Sequence, residues 1–203
     1  FGGAPIVSTP VLGETRLYIA TVDDLVYALD RETGALAWRY QRPPDANRAS
    51  ALTLMGTPSP TLVGDLVLYG FSDGFLVALE REGGEMVWEH QVGEGRYPDL
   101  VAAPVVADGV VFIAGYSGPF MALDLENLAV RWRLPHGAAA APLLDGEWIY
   151  HPGTDGKLRK VHVRNGTVEW TWSSETTGAL TTPRLTLAGL LTTSTEGSLY
   201  LVD

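Results

Sequence analysis

The side chains that most often carry out chemistry are sparse in this chain. It has four histidines and no cysteine among 203 residues, so disulfides and thiolate metal sites are excluded. The histidines lack the short spacing of metal ligands, and a lone histidine is more often a surface or core residue than a ligand. They are His90, His136, His151 and His162. The sequence therefore predicts neither a metal site nor a catalytic centre.

Two short polar motifs are interpreted as turns. Asp23 and Asp24 form the only pair of adjacent aspartates, and they fall where a second strand is expected to turn into a third. A hairpin turn explains them better than a metal site. Residues 165–167 match the glycosylation tripeptide, but they also fall between two expected strands and are typical of a tight turn.

The elements that position these residues follow from a repeat that ends in tryptophan. Four segments have the pattern A-x-D-x-x-x-G-x-x-x-W, with substitutions at some positions but with constant internal spacing. They are residues 28–38, 78–88, 122–132 and 160–170. The distances between copies vary, as expected when insertions fall in loops while strands keep their length.

Each copy predicts four short antiparallel strands. In the second copy we expect strands at residues 59–63, 66–71, 75–80 and 85–90. Glycine next to aspartate, as at residues 73–74, tolerates the positive φ that tight hairpin turns require. A proline opens each first strand, where a missing amide donor is tolerated. Helix signals are absent from the sequence.

Four-stranded meanders repeated at about 40 residues predict an all-β fold, a β-propeller in which each blade packs between its neighbours. The expected domain is a single one, residues 1–203. Its expected blade units are roughly 9–40, 57–92, 102–134, 140–172 and an incomplete 181–203. We expect the tryptophan rings to form contacts between successive blades instead of one shared sandwich core.

The last unit stops before a fourth strand, which leaves two hypotheses. Residues 1–8 could supply that strand and close a five-bladed ring, or the chain could be part of a larger, eight-bladed ring. The second is favoured because residues 1–8 contain no tryptophan where a fourth strand should carry one. An unpaired edge strand would also permit self-association.

Composition limits the choice of partner. The formal net charge is -10, and lysine and arginine are scattered, which argues against nucleic acid as a partner. No stretch approaches the roughly 20 apolar residues of a transmembrane helix. The N-terminus lacks a leader segment and an initiator methionine, which predicts that a leader has been removed or that the chain is an excised piece.

The repeat resembles that of the pyrroloquinoline-quinone-type propellers, which include quinoprotein dehydrogenases and non-enzymatic scaffolds. Within them, the chain resembles the BamB family of outer-membrane assembly factors over nearly its whole length. The most telling stretches are residues 52–61, 97–132 and 181–203. This resemblance implies a non-enzymatic periplasmic scaffold without a cofactor. It also implies attachment to the inner leaflet of the outer membrane by a lipid anchor that this chain does not contain.

The resemblance further implies docking to the POTRA domains of the barrel-assembly protein BamA. In the family, this surface uses an L-x-L-R-G segment and a D-x-D segment. The matching residues here are Leu52, Leu54, Gly56 and Asp99. Met55 replaces the arginine and Val101 the second aspartate. These departures predict a more apolar contact, a partner with altered chemistry, or no docking at this place.

The expected docking surface combines an apolar anchor with a polar contact in which Arg96 supplies the missing cation. Its residues are Leu52, Leu54, Met55, Arg96, Tyr97 and Asp99. An apolar run at the end of the long connection 40–54 is unusual for a solvated loop. Two plainer interpretations stay open: that the leucines pack on their own blade, and that Asp99 accepts hydrogen bonds from turn amides.

Two other functions also stay open. A quinoprotein dehydrogenase needs Ca²⁺ beside the quinone, held by carboxylate and amide oxygens, and an aspartate base. The chain has no recognisable counterparts of these ligands. A ligand-sensing propeller needs polar and aromatic side chains that converge on the central channel, whereas the inner strands expected here are mostly valine, leucine, threonine and alanine.

Overall fold

The computed structural model describes residues 4–43, 56–175 and 178–203, which form five antiparallel β-sheets. Blade 1 contains β1 (Val11–Leu12), β2 (Arg16–Ala20), β3 (Leu25–Asp30) and β4 (Leu36–Gln41). Blade 2 contains β5 (Thr61–Val63), β6 (Leu66–Gly70), β7 (Phe75–Glu80) and β8 (Met86–Gln91). Blade 3 contains β9 (Val105–Ala107), β10 (Val110–Ala114), β11 (Phe120–Asp124) and β12 (Val130–Leu134).

Blade 4 has four strands, as the first three blades do, whereas the described part of blade 5 has three. Blade 4 contains β13 (Leu143–Asp145), β14 (Trp148–Pro152), β15 (Lys157–His162) and β16 (Val168–Ser173). Blade 5 contains β17 (Arg184–Thr186), β18 (Gly189–Thr193) and β19 (Leu199–Val202). Strands that follow one another in sequence are neighbours in every sheet. The predicted β-propeller of four-stranded antiparallel blades is therefore confirmed.

The N-terminal segment lies against blade 1. The Val22 amide donates to Pro5 O (3.1 Å), and the Ser8 hydroxyl donates to Ala20 O (3.2 Å). Among the described residues, the sheet of blade 5 holds three strands only. Residues 4–8 thus pair with the first blade and do not fill the fourth position of the fifth.

The acidic residue of the repeat accepts hydrogen bonds within the turn between the third and fourth strands. In blade 1, Asp30 Oδ1 accepts hydrogen bonds from the Glu32 amide (3.2 Å) and from the Thr33 amide (2.9 Å) and hydroxyl (2.7 Å). These bonds, with that from the Thr33 hydroxyl the strongest, lower the pKa of Asp30. A side-chain acceptor at this point holds the tight turn in shape.

The alanine that opens each of the first three copies of the repeat faces its tryptophan. Ala28 pairs with Trp38 across β3 and β4, and a β-bulge follows in the register after Ala28. The small side chain leaves room for the indole ring to reach Tyr18 on β2, with ring centroids 5.9 Å apart. The bulge turns the fourth strand so that the ring leans toward the next blade.

The core consists of layers between blades. Four clusters of buried side chains each combine residues of two successive blades, so that every blade packs on the next. Between blades 1 and 2, for example, Tyr18 and Trp38 pack with Tyr69 and Phe71. This arrangement agrees with the tryptophans as contacts between blades. None of the described residues belongs to a helix of the length and apolarity that a bilayer crossing requires.

The Trp38 ring is an example of a contact between two blades. The Trp38 indole nitrogen donates to Arg81 O of blade 2 at 2.9 Å. The ring lies directly on Gly84, where an added Cβ would come within 2.5 Å of it. In the same way, Trp132 of blade 3 donates to Val163 O (2.8 Å). Each of these tryptophans therefore packs on the glycine turn of the following blade.

Candidate functional site

Two sets of connections share one face of the propeller. Because the strands of a blade alternate in direction, the turn between its second and third strands lies at the same end as the link to the next blade. We call this end the connection face, and the end with the other turns the turn face. The predicted docking residues 96–99 belong to the link between blades 2 and 3, and thus to the connection face.

The loop 92–100 is fixed between two neighbouring turns. The Val92 and Gly93 amides donate to Gly74 O (2.9 and 2.8 Å), which ties the loop to blade 2. The Ser117 amide donates to Tyr97 O (3.2 Å), which ties it to blade 3. The Tyr116 amide adds a bond to the carbonyl of residue 99 (2.9 Å). The loop is therefore preformed by its backbone.

Arg96 and Tyr97 form the outer surface of this loop. Arg96 is exposed, and its guanidinium lies over the Tyr97 ring at 5.3 Å from the centroid. The Tyr97 ring in turn meets Tyr116 of blade 3 edge-on, at 6.3 Å between centroids. Stacking on the Tyr97 ring restricts the arginine while its polar end stays available.

Asp99 lies beneath the surface. It is only 1% exposed, and the adjacent Leu100 is equally buried. Leu100 packs in the core between blades 2 and 3. The structure thus places Asp99 in the support of the loop, and Arg96 and Tyr97 on its outside.

The two predicted docking segments meet at Gly56. A Cβ added to Gly56 would lie 2.6 Å from Cγ1 of Val101, so the two residues are in close contact. Val101 stands where the family pattern has a second aspartate, and its methyl groups pack where a carboxylate would otherwise be. Leu52, Leu54 and Met55 lie outside the described residues. Their chain enters the described part at Gly56, directly beside the loop 92–100.

Sequence reasoning missed a second polar cluster of the connection face, centred on Arg42. Its Nε donates to Asp73 at 2.6 Å, and its Nη1 donates to Glu89. The guanidinium also lies over the Phe75 ring at 4.1 Å. These contacts join the end of blade 1 to blade 2. Nothing in the local sequence signals this pairing, because the partners are far apart along the chain.

The sequence left open whether His151 is a surface or a core residue, and the structure buries it at the boundary of blades 3 and 4. His151 is fully buried and stacks on Phe120, with ring centroids 4.1 Å apart. Neither of its ring nitrogens has a hydrogen-bond partner among the described residues. Arg159 pairs with His151 across β14 and β15, and its guanidinium donates twice to Asp155, at 3.0 and 2.5 Å.

Burial keeps this histidine neutral. Burial is the largest cause that lowers the pKa of His151, to about 3, and the positive charge of Arg159 lowers it further. The negative charge of Asp155 opposes the shift but does not cancel it. A neutral, buried imidazole of this kind contributes to packing, and it cannot exchange protons near neutral pH.

A further motif that suggests chemistry lies in a hairpin turn. Residues 70–74 match G-x-S-x-G, a pattern that sequence reasoning overlooked. They form a turn between two strands, where a hydrolase nucleophile needs a turn from strand to helix. The Ser72 hydroxyl donates to Asp24 of blade 1, so Asp24 joins two blades. Among residues 4–43, 56–175 and 178–203, no three His, Asp or Glu side chains are grouped to hold a metal ion.

The comparisons with known sequences agree on one family. The model of the family described as outer membrane protein assembly factor BamB matches residues 3–172. BamB of Legionella pneumophila (strain Paris) is 32% identical over 162 residues, which cover 76% of this chain and 42% of that protein. BamB of Yersinia pestis is 26% identical over 204 residues, which cover 97% and 51%. The chain spans about half the length of these relatives.

Comparison with solved structures supports the fold. The crystal structure of BamB from Moraxella catarrhalis matches with a TM-score of 0.82 at 19% identity, covering 97% of this chain and 63% of that one. A quinohemoprotein alcohol dehydrogenase from Pseudomonas putida HK5 matches with a TM-score of 0.81 at 19% identity, covering 98% and 40%. At such identity both matches concern architecture alone, and the same blades occur in an assembly factor and in an enzyme.

Proposed function

Because the chain belongs to the family of the outer membrane protein assembly factor BamB, we propose that it acts as a non-enzymatic scaffold in outer-membrane protein assembly. The family match over residues 3–172 carries this proposal. The preformed loops of the connection face support it, since a loop that is ordered before binding loses little entropy when a partner docks. The proposed location is the periplasmic side of the outer membrane, at its inner leaflet. The proposed attachment is a lipid anchor.

The proposed docking partner is a POTRA array of a BamA-like protein. Arg96 and Tyr97 supply side chains of the types that dominate interface energies, and Tyr116 holds them in place. We propose that Leu52, Leu54 and Met55 form the apolar anchor beside them, since their chain reaches the loop at Gly56. Asp99 supports the loop from below. Val101 makes the centre of this surface more apolar than the family pattern.

Binding measurements test this surface. We expect Leu54→Asp and Arg96→Glu each to weaken binding to a purified POTRA array by about tenfold, because each places a negative charge in the proposed contact. The control is Arg164→Glu on the turn face, where the arginine is exposed and pairs only weakly with Glu147 (3.6 Å). Calorimetric titration at constant ionic strength measures all three variants.

The control separates an effect of net charge from an effect at the proposed surface. Arg164→Glu makes the same change of charge as Arg96→Glu, so a loss of binding that the two share would reflect net charge and not the site. If Leu54→Asp and Arg96→Glu both bind as well as the wild type, the proposed surface is wrong.

A dehydrogenase is the second candidate, and the likeness to the quinohemoprotein alcohol dehydrogenase favours it. We expect no alcohol-dependent dye reduction when the protein is mixed with pyrroloquinoline quinone and Ca²⁺. The reason is that the described residues contain no grouped His, Asp and Glu ligands for the ion. A known quinoprotein provides the positive control for the assay. Ca²⁺-dependent dye reduction by this protein would contradict the scaffold proposal and show that the protein is an enzyme.

A further inference from the structure

The turn between β15 and β16 contains the one Asn-Gly pair of the chain, Asn165 and Gly166. In such a pair the backbone nitrogen of the glycine can attack the side-chain carbonyl carbon of the asparagine. Glycine favours this reaction because it has no side chain to hinder the approach and gives the backbone its greatest freedom. Asn165 is exposed at the turn face.

Blade 3 contains a natural counterpart in which leucine follows the asparagine. Asn127 Oδ1 accepts a bond from the Ala129 amide (2.9 Å), as Asn165 Oδ1 does from the Thr167 amide (3.0 Å). The following residues, Leu128 and Gly166, both have positive φ, 59° and 71°. The two turns therefore have the same conformation, and they differ in the residue that must approach the asparagine side chain.

The fold restrains the attacking nitrogen. The Gly166 amide donates to His162 O at 3.0 Å, and this proton must be released before the nitrogen can react. Gly166 is also covered by the ring of Trp132, which would come within 2.8 Å of an added Cβ. Since Trp132 is fixed by its bond to Val163 O (2.8 Å), the turn opens only when the contact between blades 3 and 4 loosens.

We infer that Asn165 is a site of spontaneous deamidation whose rate follows the opening of the contact between blades 3 and 4. The Gly166 nitrogen forms a bond to Cγ of Asn165 and loses its proton, while the bond from Cγ to Nδ2 breaks and ammonia leaves. Water then opens the cyclic imide at either carbonyl. The net change is the gain of one water and the loss of one ammonia, and the product is aspartate or isoaspartate.

The isoaspartate product damages the turn that it forms in. It adds a carbon atom to the backbone between residues 165 and 166. The bond from the Gly166 amide to His162 O and the bond from the Thr167 amide to the side chain of residue 165 can then no longer form together. It also adds a carboxylate to a chain whose formal net charge is already -10. Because Trp132 rests on Gly166, we expect this product to loosen the same contact further.

Peptide mapping by mass spectrometry tests the inference. The protein is incubated in mildly alkaline buffer with and without denaturant, and conversion at residues 127 and 165 is followed. In denaturant, we expect Asn165 to react at least about tenfold faster than Asn127. In the native protein, we expect its rate to fall by at least about tenfold, because only the opened fraction reacts.

Two matched variants separate local opening from general loss of stability. Trp132→Phe removes the indole donor above Gly166 and should raise the native rate at Asn165 severalfold, without changing the rate in denaturant. Trp38→Phe removes the equivalent donor between blades 1 and 2 and should leave Asn165 unchanged. Equal effects of the two variants would overturn the inference. So would equal wild-type rates at Asn165 with and without denaturant, a measurement that needs no variant to fold.

Discussion

Replacing Gly84 with alanine should destabilise the protein far more than the same change at Gly34. The two glycines occupy the same position of the repeat, with φ of 80° and 70°. Their amides make the same bond, to Glu80 O and Asp30 O, each at 2.9 Å. Alanine in this backbone conformation costs about 1–2 kcal/mol at either site.

The difference between the sites comes from the neighbouring blade. A Cβ at Gly84 would lie 2.5 to 2.8 Å from ring atoms of Trp38, whereas a Cβ at Gly34 meets nothing within 4 Å among the described residues. The ring cannot tilt away without losing its bond to Arg81 O. We therefore expect an extra cost of about 2 kcal/mol from overpacking at Gly84.

Thermal unfolding measures both variants side by side. For a chain of this size, each kcal/mol lowers the melting temperature by about 2–4 °C, so Gly84→Ala should melt about 4–8 °C below Gly34→Ala. Circular dichroism in the absence of heat checks that both variants fold. Equal losses for the two variants would mean that the tryptophan does not carry the contact between blades 1 and 2.

The repeat made most of the fold predictable. Strand β7 coincides with the predicted 75–80, β6 ends one residue before its prediction, and β8 is shifted by one residue at both ends. This agreement arises because alternating apolar residues and turn glycines act locally. The β-bulge after Ala28 was not predictable, since it depends on the pairing of two strands.

The candidate site was less predictable than the fold. Local sequence predicted that Arg96, Tyr97 and Asp99 share one loop, but it could not place Asp99 inside and Arg96 outside. That division depends on hydrogen bonds between this loop and the turns of blades 2 and 3. The partners of Arg42 and the burial of His151 depend in the same way on contacts between blades. Residues whose surroundings come from another blade leave no pattern in their own segment.

Acidification from pH 7 to pH 5 should destabilise the protein through His151. The pKa of this imidazole falls from an ordinary 6.5 to about 3 in the fold. Below pH 6.5 the unfolded chain gains a proton that the folded chain does not bind, so protonation favours unfolding. The contribution of this group is complete above pH 6.5 and is lost progressively toward pH 3. Between pH 7 and pH 5 the loss amounts to about 2 kcal/mol.

The pH interval separates the histidine from the carboxylates. Hydrogen bonds, chiefly with Thr33 for Asp30 and Arg131 for Asp124, lower the pKa values of these groups below 3.8. Their stabilising effect is therefore present at pH 5 and is lost only in stronger acid. A decline in stability that begins below pH 6.5 has a histidine as its source.

The variant that tests this source is His151→Phe, which removes the titrating group and keeps an aromatic ring for stacking on Phe120. Denaturant unfolding at pH 7 and pH 5 should show a pH dependence smaller by about 2 kcal/mol than in the wild type. His90→Phe is the matched control. His90 is only half-buried, and although burial also lowers its pKa, its replacement should change the pH dependence less. If His151→Phe keeps the full wild-type dependence, the imidazole between blades 3 and 4 is not excluded from water as the structure has it, and another group must account for the loss in acid.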